Sequence, residues 1–493
     1  ATRAGAEAVV HAITAATERD TTNTVLSIDG IGAYDTISRG AMLNALQEVP
    51  EANRCSPFVH MFYSQPSTYV WHDNAGRPHT ITQAEGGEQG DPLMPALFSL
   101  GQKAALQAVQ QHLQPGEYLF AFLDDIYTIV PPARVRPVHD LLAHHLFSSA
   151  HIQLNSGKTR VWNMARTLPP NLDGLGGGVW VGDRGLPAEA QGLMVLGAPV
   201  GTPQYKQQHL QQLRAQHDQL LQRIPELDDL QASWLLLLFC ASPRCNYQLR
   251  MLSPHDTAHF AAAHDVAVAA CFTRLLDTAP LPAPALGTAH LPLHMGGLGL
   301  TSAVATACPA YWASWADVLP VLQAQAPQQA AAIHHMLSNP TEATTSIQAA
   351  THCAEQLRQL GWEPPDWSQL IDRQAVPDPP PQAPESPTIG GGWQQAAARA
   401  CHNTHRAAVL QALDSPSQAL LESQAGPHAS RPFTTIPYNS NSTYPSPIFR
   451  VLLLRRLRLP LPLSARYCRC RRALDFLGDH RAACPQSGVL RSR

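Results

Sequence analysis

The sequence has very little lysine and little charge of either sign. Lysine occurs three times, at Lys103, Lys158 and Lys206, and charged residues make up 14% of the 493 residues. The formal net charge is -3, whereas a domain dedicated to nucleic-acid binding is usually basic. The overall charge therefore argues mildly against such a domain. Arginine, the better ligand for phosphate, carries nearly all the positive charge.

Long hydrophobic runs and regularly spaced cysteines are also missing. The apolar run at residues 234–240 is far shorter than the roughly 20 residues that cross a bilayer, and no signal-peptide pattern is visible. Most of the ten cysteines stand singly in apolar surroundings, which is typical of reduced core thiols. We therefore expect an intracellular protein without a membrane segment.

Hydrophobic periodicity predicts an α+β fold for the first part of the chain. Strands and helices alternate irregularly up to about residue 200, with a β-hairpin over residues 67–83. Long helices follow, and residues 376–387 are proline-rich. The sequence thus predicts four consecutive segments: 1–203, 204–370, a partly disordered linker over 371–445, and 446–493.

Two adjacent carboxylates, Asp124 and Asp125, interrupt the otherwise uncharged apolar run 118–130. Like charges placed side by side are costly to bury unless a cation compensates them. Asp29 ends another apolar strand, so the three carboxylates meet if the two strands are neighbours in one sheet. Such a group suits a pair of Mg²⁺ ions, which promote in-line attack on a phosphate. The alternative is a plain hairpin turn, because aspartate favours turns.

Five motifs in order carry a resemblance to a known family. They are SIDGIGAYD, EQGDPLMP, FLDD, LNSGKT and LMVLGAPVG, and 95 residues separate Asp29 from Asp124. Each motif alone is unspecific, but the ordered set over residues 5–201 resembles the palm motifs of a non-LTR retrotransposon reverse transcriptase. The last motif resembles the hairpin that presses on the primer strand.

The resemblance assigns roles by position. Asp29 and Asp124 would hold two Mg²⁺ ions, with Asp125 assisting, and these three residues form the implied catalytic and metal site. The implied nucleotide-binding residues are Tyr34, Gln89, Gly90 and Lys158. Tyr34 would exclude a ribose 2'-OH, and Lys158 would shield or protonate the leaving pyrophosphate. A core aromatic and a solvated surface lysine are the alternatives for these two side chains.

The resemblance also implies an architecture and an activity. The fold would be a right-hand polymerase palm with partial fingers, since only 28 residues precede Asp29, followed by a helical thumb and a small C-terminal zinc module. The activity would be RNA-directed DNA polymerisation with an RNA template, a DNA primer and dNTPs, in the nucleus. An inactive retroelement relic, an RNA-dependent RNA polymerase and a nucleic-acid-binding adaptor are the alternatives.

Four potential zinc ligands lie close together near the end of the sequence. Cys468, Cys470, His480 and Cys484 match the ligand types of a closed tetrahedral zinc site. The C-x-C spacing is tighter than the usual C-x2-C, and an unliganded group of reduced cysteines is the alternative. The preceding arginine-rich helix and the arginines of the cluster predict a nucleic-acid contact, which is the basis of the adaptor alternative.

Overall fold

The computed structural model describes residues 3–377, 392–426, 428–462, 466–484 and 486. The chain divides into two compact units. Ala1–Gln208 with Asp317–Gln348 form the first unit, and His209–Ala316 with Ala349–Arg493 form the second. Each unit thus joins segments that are distant in sequence, which differs from the consecutive segments that we predicted.

Both helices and strands are present, as the α+β prediction requires. The strands are β1 (Thr24–Ile28), β2 (Ser67–His72), β3 (Pro78–Gln83), β4 (Tyr118–Phe122), β5 (Asp125–Val130), β6 (Arg160–Asn163), β7 (Gly192–Val195) and β8 (Ala198–Gly201). The helices are α1 (Gly5–Arg19), α2 (Ala33–Thr36), α3 (Arg39–Gln47), α4 (Ser56–Tyr63), α5 (Met94–Gln110), α6 (Val135–Ala150), α7 (Pro203–Arg223), α8 (Leu230–Leu236), α9 (Asn246–Met251), α10 (Pro254–Leu276), α11 (Ala283–His290), α12 (Ala303–Gln325), α13 (Pro327–Ser338), α14 (Thr345–Gln359), α15 (Trp367–Ile371), α16 (Trp393–Ala412), α17 (Ser415–Ser423), α18 (Arg431–Thr434), α19 (Ser446–Arg456) and α20 (Asp479–Ala483). None of these helices, in the part of the chain that is described, is both long and apolar enough to cross a membrane.

A four-stranded antiparallel sheet lies at the centre of the first unit, in the order β4-β5-β1-β6. In this sheet β1 lies beside β5, although about a hundred residues separate the two strands in sequence. Ile28 pairs with Ile126 at the end of this ladder. The carboxyl end of β1 therefore meets the turn that joins β4 to β5, which is the neighbour relation that the acidic motifs required.

One face of the sheet is covered by helices with regular apolar stripes. On α6, Val135, Val138, Leu142, Leu146 and Ala150 recur at helical spacing and are all fully buried. They share one core with β1, β5, α3 and α5. Each large aliphatic side chain buried in this way contributes about 1.5–3 kcal/mol to stability, so the sheet edge that carries the aspartates rests on a rigid base.

Two smaller hairpins complete the first unit. The hairpin β2–β3 confirms the prediction for residues 67–83, and it closes where Asp73 accepts hydrogen bonds from the backbone N–H groups of Ala75 and Arg77. The hairpin β7–β8 turns at Leu196 and Gly197, both of which have positive φ. This backbone matches the primed turns that favour two-residue hairpins.

The second unit is helical and is built around large aromatic side chains. Trp234 on α8 packs 5.2 Å from the Phe272 ring on α10, between ring centroids. Its indole N–H donates to the Phe433 carbonyl at 2.9 Å. Phe449 on α19 is completely buried in the same core. Helix α19 is therefore part of this core, whereas we predicted it within a separate C-terminal module.

Part of the segment predicted as a linker is helical. Residues 378–391, which include most of the proline-rich stretch, lie outside the described residues. Beyond them, α16 extends over 20 residues and buries an alanine-rich face that includes Ala396, Ala397 and Ala400. Small alanine side chains give a weak hydrophobic signal but let helices approach closely, which explains why composition alone suggested a linker.

Candidate active site

The three aspartates converge at one edge of the central sheet. Asp29 directly follows β1, Asp124 lies in the turn between β4 and β5, and Asp125 begins β5. Continuing the Ile28–Ile126 register by one residue places Asp29 opposite Asp125. Opposite residues of an antiparallel pair point to the same face, with Cβ atoms about 4.5–5.5 Å apart. The acidic pair does form a turn, as the alternative interpretation predicts. A turn alone does not describe the site, however, because Asp29 lies opposite it.

The electrostatics of Asp125 report this crowding of charge. Burial, and then the charges of Asp124 and Asp29, raise the pKa of Asp125 to about 6, whereas the charge of Lys158 opposes this rise. The Lys158 ammonium lies 2.6 Å from an Asp29 carboxylate oxygen. Asp29, in turn, raises the pKa of Lys158 by hydrogen bonding and by its charge. One exposed lysine therefore faces three carboxylates, which leaves excess negative charge at this edge.

The backbone holds Lys158 in position. The Asn155 N–H donates to the Asp29 carbonyl at 2.8 Å, and the Lys158 N–H donates to the Asn155 carbonyl at 3.1 Å. Gly30 forms a β-bridge with Leu154 in the same region. The LNSGKT motif is thereby hydrogen-bonded to the backbone of Asp29, the first residue of the predicted metal site.

The chemistry of the three aspartates suits a hard divalent cation, but their carboxylate oxygens are farther apart than those of a formed metal site. Carboxylate oxygens are the ligands that Mg²⁺ prefers, and the raised pKa of Asp125 reflects burial first and then the neighbouring charges of Asp124 and Asp29. The carboxylate oxygens of the three aspartates, however, do not all lie within 4.8 Å of one another. In the described part of the chain, groups of three or more ligand atoms that lie this close together are formed by cysteine and histidine. The Lys158 ammonium supplies the positive charge here.

The turn that carries Asp124 has an unusual backbone. Leu123 has φ of 56°, a left-handed conformation that costs a residue with a Cβ about 1–2 kcal/mol. The buried Gln102 side chain on α5 donates to the Leu123 carbonyl at 2.7 Å and holds this turn. Sequence reasoning missed Gln102, because a lone glutamine on a helix gives no signal of what it contacts.

Tyr34 lies next to the acidic cluster. Its ring stacks on Phe98 of α5, with centroids 4.6 Å apart and planes 5° from parallel. Burial, and then the charge of Asp124, raise the pKa of Tyr34. The ring is thus fixed by packing and faces Asp124, so the packing role and the proposed role in sugar recognition are compatible.

Gln89 and Gly90 are less closely connected to the aspartates. Both are exposed in a turn closed by the Asp91 N–H, which donates to the Glu88 carbonyl at 3.2 Å. Gly90 has φ of 108°, and a Cβ there would meet open space. Neither residue has a hydrogen bond or ion pair to the three aspartates within the described structure. Their predicted part in nucleotide binding stays a prediction.

A buried arginine that sequence reasoning missed anchors the start of this loop. The Arg39 guanidinium donates to the Gly86 carbonyl at 2.8 Å and to the Gln65 carbonyl at 2.8 Å. It also lies over the Tyr63 ring, 5.4 Å from its centroid, and the Tyr63 hydroxyl donates to Asp91. An arginine in the first turn of a helix usually indicates a surface position, so the sequence contained no sign of this network.

Gly86 permits the loop to cross the chain that carries Tyr34. Its φ is 64°, and a Cβ there would lie 2.3 Å from the Asp35 carbonyl carbon and oxygen. Its N–H donates to the Ile37 carbonyl at 2.8 Å. Backbone, and not a flexible side chain, fills the space that any larger residue would need.

We expect Gly86→Ala to lower the free energy of unfolding by about 3 kcal/mol, because left-handed strain and overpacking add together. Gly76 is the matched control, since its φ is 78° but a Cβ there meets no atom within 4 Å. Gly76→Ala should therefore cost only the backbone term, about 1 kcal/mol. Urea denaturation of both variants measures the difference, and equal losses would contradict the close crossing.

The charge crowding at Asp125 also has a consequence for stability. A carboxyl whose pKa is raised by folding destabilises the folded state once pH exceeds its unfolded pKa, and the cost stops growing above about pH 6, where the folded group is ionised too. With divalent ions removed at pH 7.5, Asp125→Asn should raise Tm by about 2–4 °C. Exposed Asp35→Asn is the control, and a lower Tm for Asp125→Asn would contradict a destabilising carboxylate at residue 125.

The hairpin β7–β8 is tied to the same sheet. The Leu196 N–H contacts the Tyr127 hydroxyl at 3.2 Å, and Tyr127 is buried in the middle of β5. The Tyr205 ring packs against Gly192 and Gly201, where a Cβ would lie within 3.1 Å of it. The hairpin predicted as a primer contact therefore has a fixed position relative to the strand that begins with Asp125.

The four C-terminal ligands come together as the sequence predicts. The ligand atoms of Cys468, Cys470, His480 and Cys484 all lie within 4.8 Å of one another. The Cys468 and Cys484 sulfurs are 3.5 Å apart, and the Cys470 sulfur is 3.1 Å from His480 Nε2. The Cys468 N–H donates to the Arg472 carbonyl at 2.8 Å, which turns the chain between the first two cysteines. This group could bind a metal ion such as zinc.

A partly buried carboxylate, Asp475, positions the histidine of this group. Asp475 accepts from the His480 N–H at 2.7 Å and from the Leu477 and Asp479 N–H groups at 3.0 Å. Burial opposes ionisation of Asp475, but these backbone donors outweigh it and lower its pKa. The start of α20, and with it His480, is therefore held in place by a charge-assisted cap.

The buried arginine of α19, Arg456, is engaged in structure, which corrects its predicted role as a nucleic-acid contact. Arg456 is 5% exposed and donates to the Gly297 carbonyl at 3.0 Å, the Leu293 carbonyl at 3.1 Å and the Gln424 carbonyl at 2.9 Å. Burial lowers the pKa of Arg456 to about 10. It stays protonated at neutral pH, and it satisfies backbone carbonyls in the interior of the second unit.

The two neighbouring arginines brace the cysteine and histidine group. Arg455 donates to the Leu477 carbonyl at 2.8 Å, and Arg458 donates to the Asp479 carboxylate at 2.6 Å. In contrast, Arg469, Arg471 and Arg472 are exposed on the module. The most exposed positive charge of this region therefore lies on Arg469, Arg471 and Arg472.

A comparison with known proteins agrees with the resemblance that the motifs indicate. No protein-family model matches the chain. A curated protein described as "Retrotransposable element SLACS 132 kDa protein", from Trypanosoma brucei gambiense, is 25% identical over 284 residues, which is 57% of this chain. The match spans 22% of that relative, so this chain corresponds to about a fifth of its length.

A solved structure gives a weaker likeness. The structure of telomerase from Candida albicans in complex with a TWJ fragment of telomeric RNA is 13% identical and has a TM-score of 0.36, with 69% of this chain and 53% of that chain covered. This TM-score is too low to support a conclusion. The resemblance to non-LTR retrotransposon proteins, predicted from five ordered motifs, is confirmed by the curated relative: this chain is similar to a retrotransposon protein.

Proposed function

We propose that the chain is an RNA-directed DNA polymerase of a non-LTR retrotransposon, with its active site at the Asp29 edge of the central sheet. The observation that carries the proposal is the convergence of Asp29, Asp124 and Asp125 with Lys158. The central sheet and its helices would be the palm, α1 would belong to the fingers, and the helices within residues 204–370 would be the thumb and connection. The similarity to a retrotransposable-element protein supports this assignment.

The reaction would join a dNTP to a primer paired with an RNA template. The primer 3'-OH gives up its proton to solvent as its oxygen bonds to the α-phosphorus, the bond from that phosphorus to the bridging oxygen breaks, and pyrophosphate leaves. Asp29 and Asp124 would hold Mg²⁺, with Asp125 assisting. Mg²⁺ bound there would supply Lewis-acid activation and neutralise phosphate charge.

The chain's own residues would orient and discriminate. The Lys158 ammonium, already at the acidic edge, would pair with phosphate oxygens and give a proton to the leaving pyrophosphate. The Tyr34 ring, fixed on Phe98, would occupy the space of a ribose 2'-OH. Gln89 and Gly90 would contact the nascent base pair. Because Gly90 has no Cβ, the backbone can approach the base pair closely there.

Primer extension tests the proposal directly. The full chain would be incubated with a 5'-labelled DNA primer on an RNA template, dNTPs and Mg²⁺. We expect extension by successive nucleotides with dNTPs and little with rNTPs. Absence of extension in both Mg²⁺ and Mn²⁺ would favour the inactive relic, and preferential use of rNTPs would favour an RNA polymerase.

A nucleic-acid-binding adaptor is a second candidate, because three exposed arginines surround the cysteine and histidine group. Tyr467 is 80% exposed beside them and offers a ring for base stacking. Zinc held by Cys468, Cys470, His480 and Cys484 would fix this surface. Since α19 is part of the second unit's core, the module must be tested within the full chain and not as a fragment.

Loss of two zinc ligands should separate these candidates. We expect Cys470→Ser/Cys484→Ser to release the bound zinc and expose residues 466–484 to limited proteolysis, because structural zinc sites contribute folding energy outright. Exposed Cys55→Ser is the control. Retained primer extension with weaker RNA binding would fit a polymerase with an accessory module. Unchanged proteolysis and zinc content would contradict the zinc site.

A further inference from the structure

Three buried side chains of the second unit form a ligand set that neither site above uses. His217 lies on α7, Cys245 ends the short 3-10 segment Ser242–Cys245, and His264 lies on α10. Their ligand atoms all lie within 4.8 Å of one another, and each residue is at most 1% exposed. We infer that they form a binding site for a thiophilic d10 metal ion, Zn²⁺ or Cu⁺.

The orientation of His264 is that of a metal ligand. Its Nε2 lies 3.2 Å from the Ser242 carbonyl oxygen. A carbonyl oxygen can accept a hydrogen bond but cannot donate one, so Nε2 carries the proton and Nδ1 has a free lone pair. Metal-binding histidines commonly donate their second ring N–H to a backbone carbonyl in this way. Nδ1 of His264 is buried and has no hydrogen-bond partner among the described residues.

The second histidine presents the same feature. Nδ1 of His217 is also buried without a hydrogen-bond partner in the described part of the chain. Leaving a buried polar atom unpaired costs about 1–3 kcal/mol, so two such atoms beside one thiol are unusual in a packed interior. A metal ion bound by all three residues satisfies both nitrogens at once.

The surroundings keep these ligands neutral when no ion is bound. Burial, and then the nearby His264, Arg244 and Arg214, lower the pKa of His217 to about 4. Burial also raises the pKa of the Cys245 thiol. Binding would form one metal–sulfur and two metal–nitrogen bonds and release the Cys245 proton to solvent.

The ligand count distinguishes the two ions. Thiolate and imidazole ligands suit both Zn²⁺ and Cu⁺. Cu⁺ with one thiolate is electrically neutral, which suits a dry interior, whereas Zn²⁺ favours a fourth ligand. The competing explanation is that the rings only pack, since His217 lies edge-on to His264 with centroids 5.4 Å apart and also contacts Phe260.

Metal binding to the full chain tests the inference. The C-terminal cysteines would first be removed as Cys468→Ser/Cys470→Ser/Cys484→Ser, so that the other group does not contribute. Equilibrium dialysis with Zn²⁺, and separately with Cu⁺ under anaerobic conditions, should then show one ion per chain in at least one arm. Adding Cys245→Ser should weaken metal binding at least about 100-fold. Loss of a residue that only supports a metal ligand already weakens binding by up to about 100-fold, and Cys245 is itself a ligand.

Cys271 offers a matched control, because it is equally buried and lies on α10 outside the ligand set. Cys271→Ser should leave binding unchanged. X-ray absorption at the metal edge reads the ligands without altering the cavity, and a shell of two nitrogens and one sulfur is expected. No binding of either ion, equal losses for Cys245→Ser and Cys271→Ser, or a shell without sulfur would each overturn the inference.

Discussion

Asp124→Asn should reduce primer extension about 1000-fold, because loss of one metal-binding carboxylate removes several kcal/mol of stabilisation of phosphate charge. Asp124 lies in the two-residue turn that joins β4 to β5, next to Leu123 with its left-handed backbone and close to the end of β1. Asn keeps the size and the turn preference of Asp and removes the charge. The measurement is single-nucleotide incorporation with the full chain on an RNA template.

Asp35→Asn is the control for this experiment. Asp35 follows Tyr34, is exposed, and lies on the same short helix α2. It should leave incorporation within about twofold of the unchanged chain, as expected for a surface substitution that touches no site. If Asp124→Asn and Asp35→Asn had equal activities, the acidic edge would not be the reaction centre.

Tyr34→Ala should relax the choice of sugar about 100-fold, measured as the ratio of dNTP to rNTP incorporation efficiency. The upper range of steric discrimination by one pocket wall is of this size. The ring is held parallel to Phe98 and adjacent to Asp124, so its removal opens space at the reacting edge and leaves the carboxylates in place.

Tyr34→Phe separates the ring from the hydroxyl. It keeps the stacking surface and should retain discrimination, whereas Tyr34→Ala loses it. The comparison also controls for packing, because Tyr34→Ala alone removes a contact with the core. Unchanged discrimination in Tyr34→Ala, with incorporation otherwise intact, would show that another group reads the sugar.

The sequence was informative where a local pattern determines structure. The apolar run 118–130 predicted strands on both sides of Asp124, and the hairpin β4–β5 forms there. The apolar stripe on α6 and the turn before Arg77 were equally readable. The convergence of Asp29 and Asp124 was predicted only on the condition that their two strands be neighbours, and the antiparallel pairing of β1 with β5 meets that condition.

Residues that act through distant backbone groups were not predictable. Gln102 holds the Leu123 carbonyl and Arg39 holds the Gly86 carbonyl, and neither partner has a side chain that would mark the contact. Arg456 was misassigned for a related reason. An arginine beside other arginines suggests a surface patch, but this one is buried on carbonyls from loops more than 25 residues away in sequence.

The trio of His217, Cys245 and His264 illustrates a further limit. Its members are separated by 28 and 19 residues and sit on three different elements. No spacing rule for metal ligands joins them, since familiar motifs place two ligands within a few residues. Only the packing of α7 and α10 around the 3-10 segment brings these side chains together.

Binding of Mn²⁺ to the full chain tests the central claim most directly. Electron paramagnetic resonance reports free Mn²⁺, so bound ion is read as loss of that signal, with Cys470→Ser/Cys484→Ser used to remove the C-terminal group. We predict that Asp29→Asn/Asp124→Asn abolishes Mn²⁺ binding, whereas Asp35→Asn does not alter it. Unchanged Mn²⁺ binding after loss of both Asp29 and Asp124 would contradict a shared divalent-cation site at this edge of the sheet.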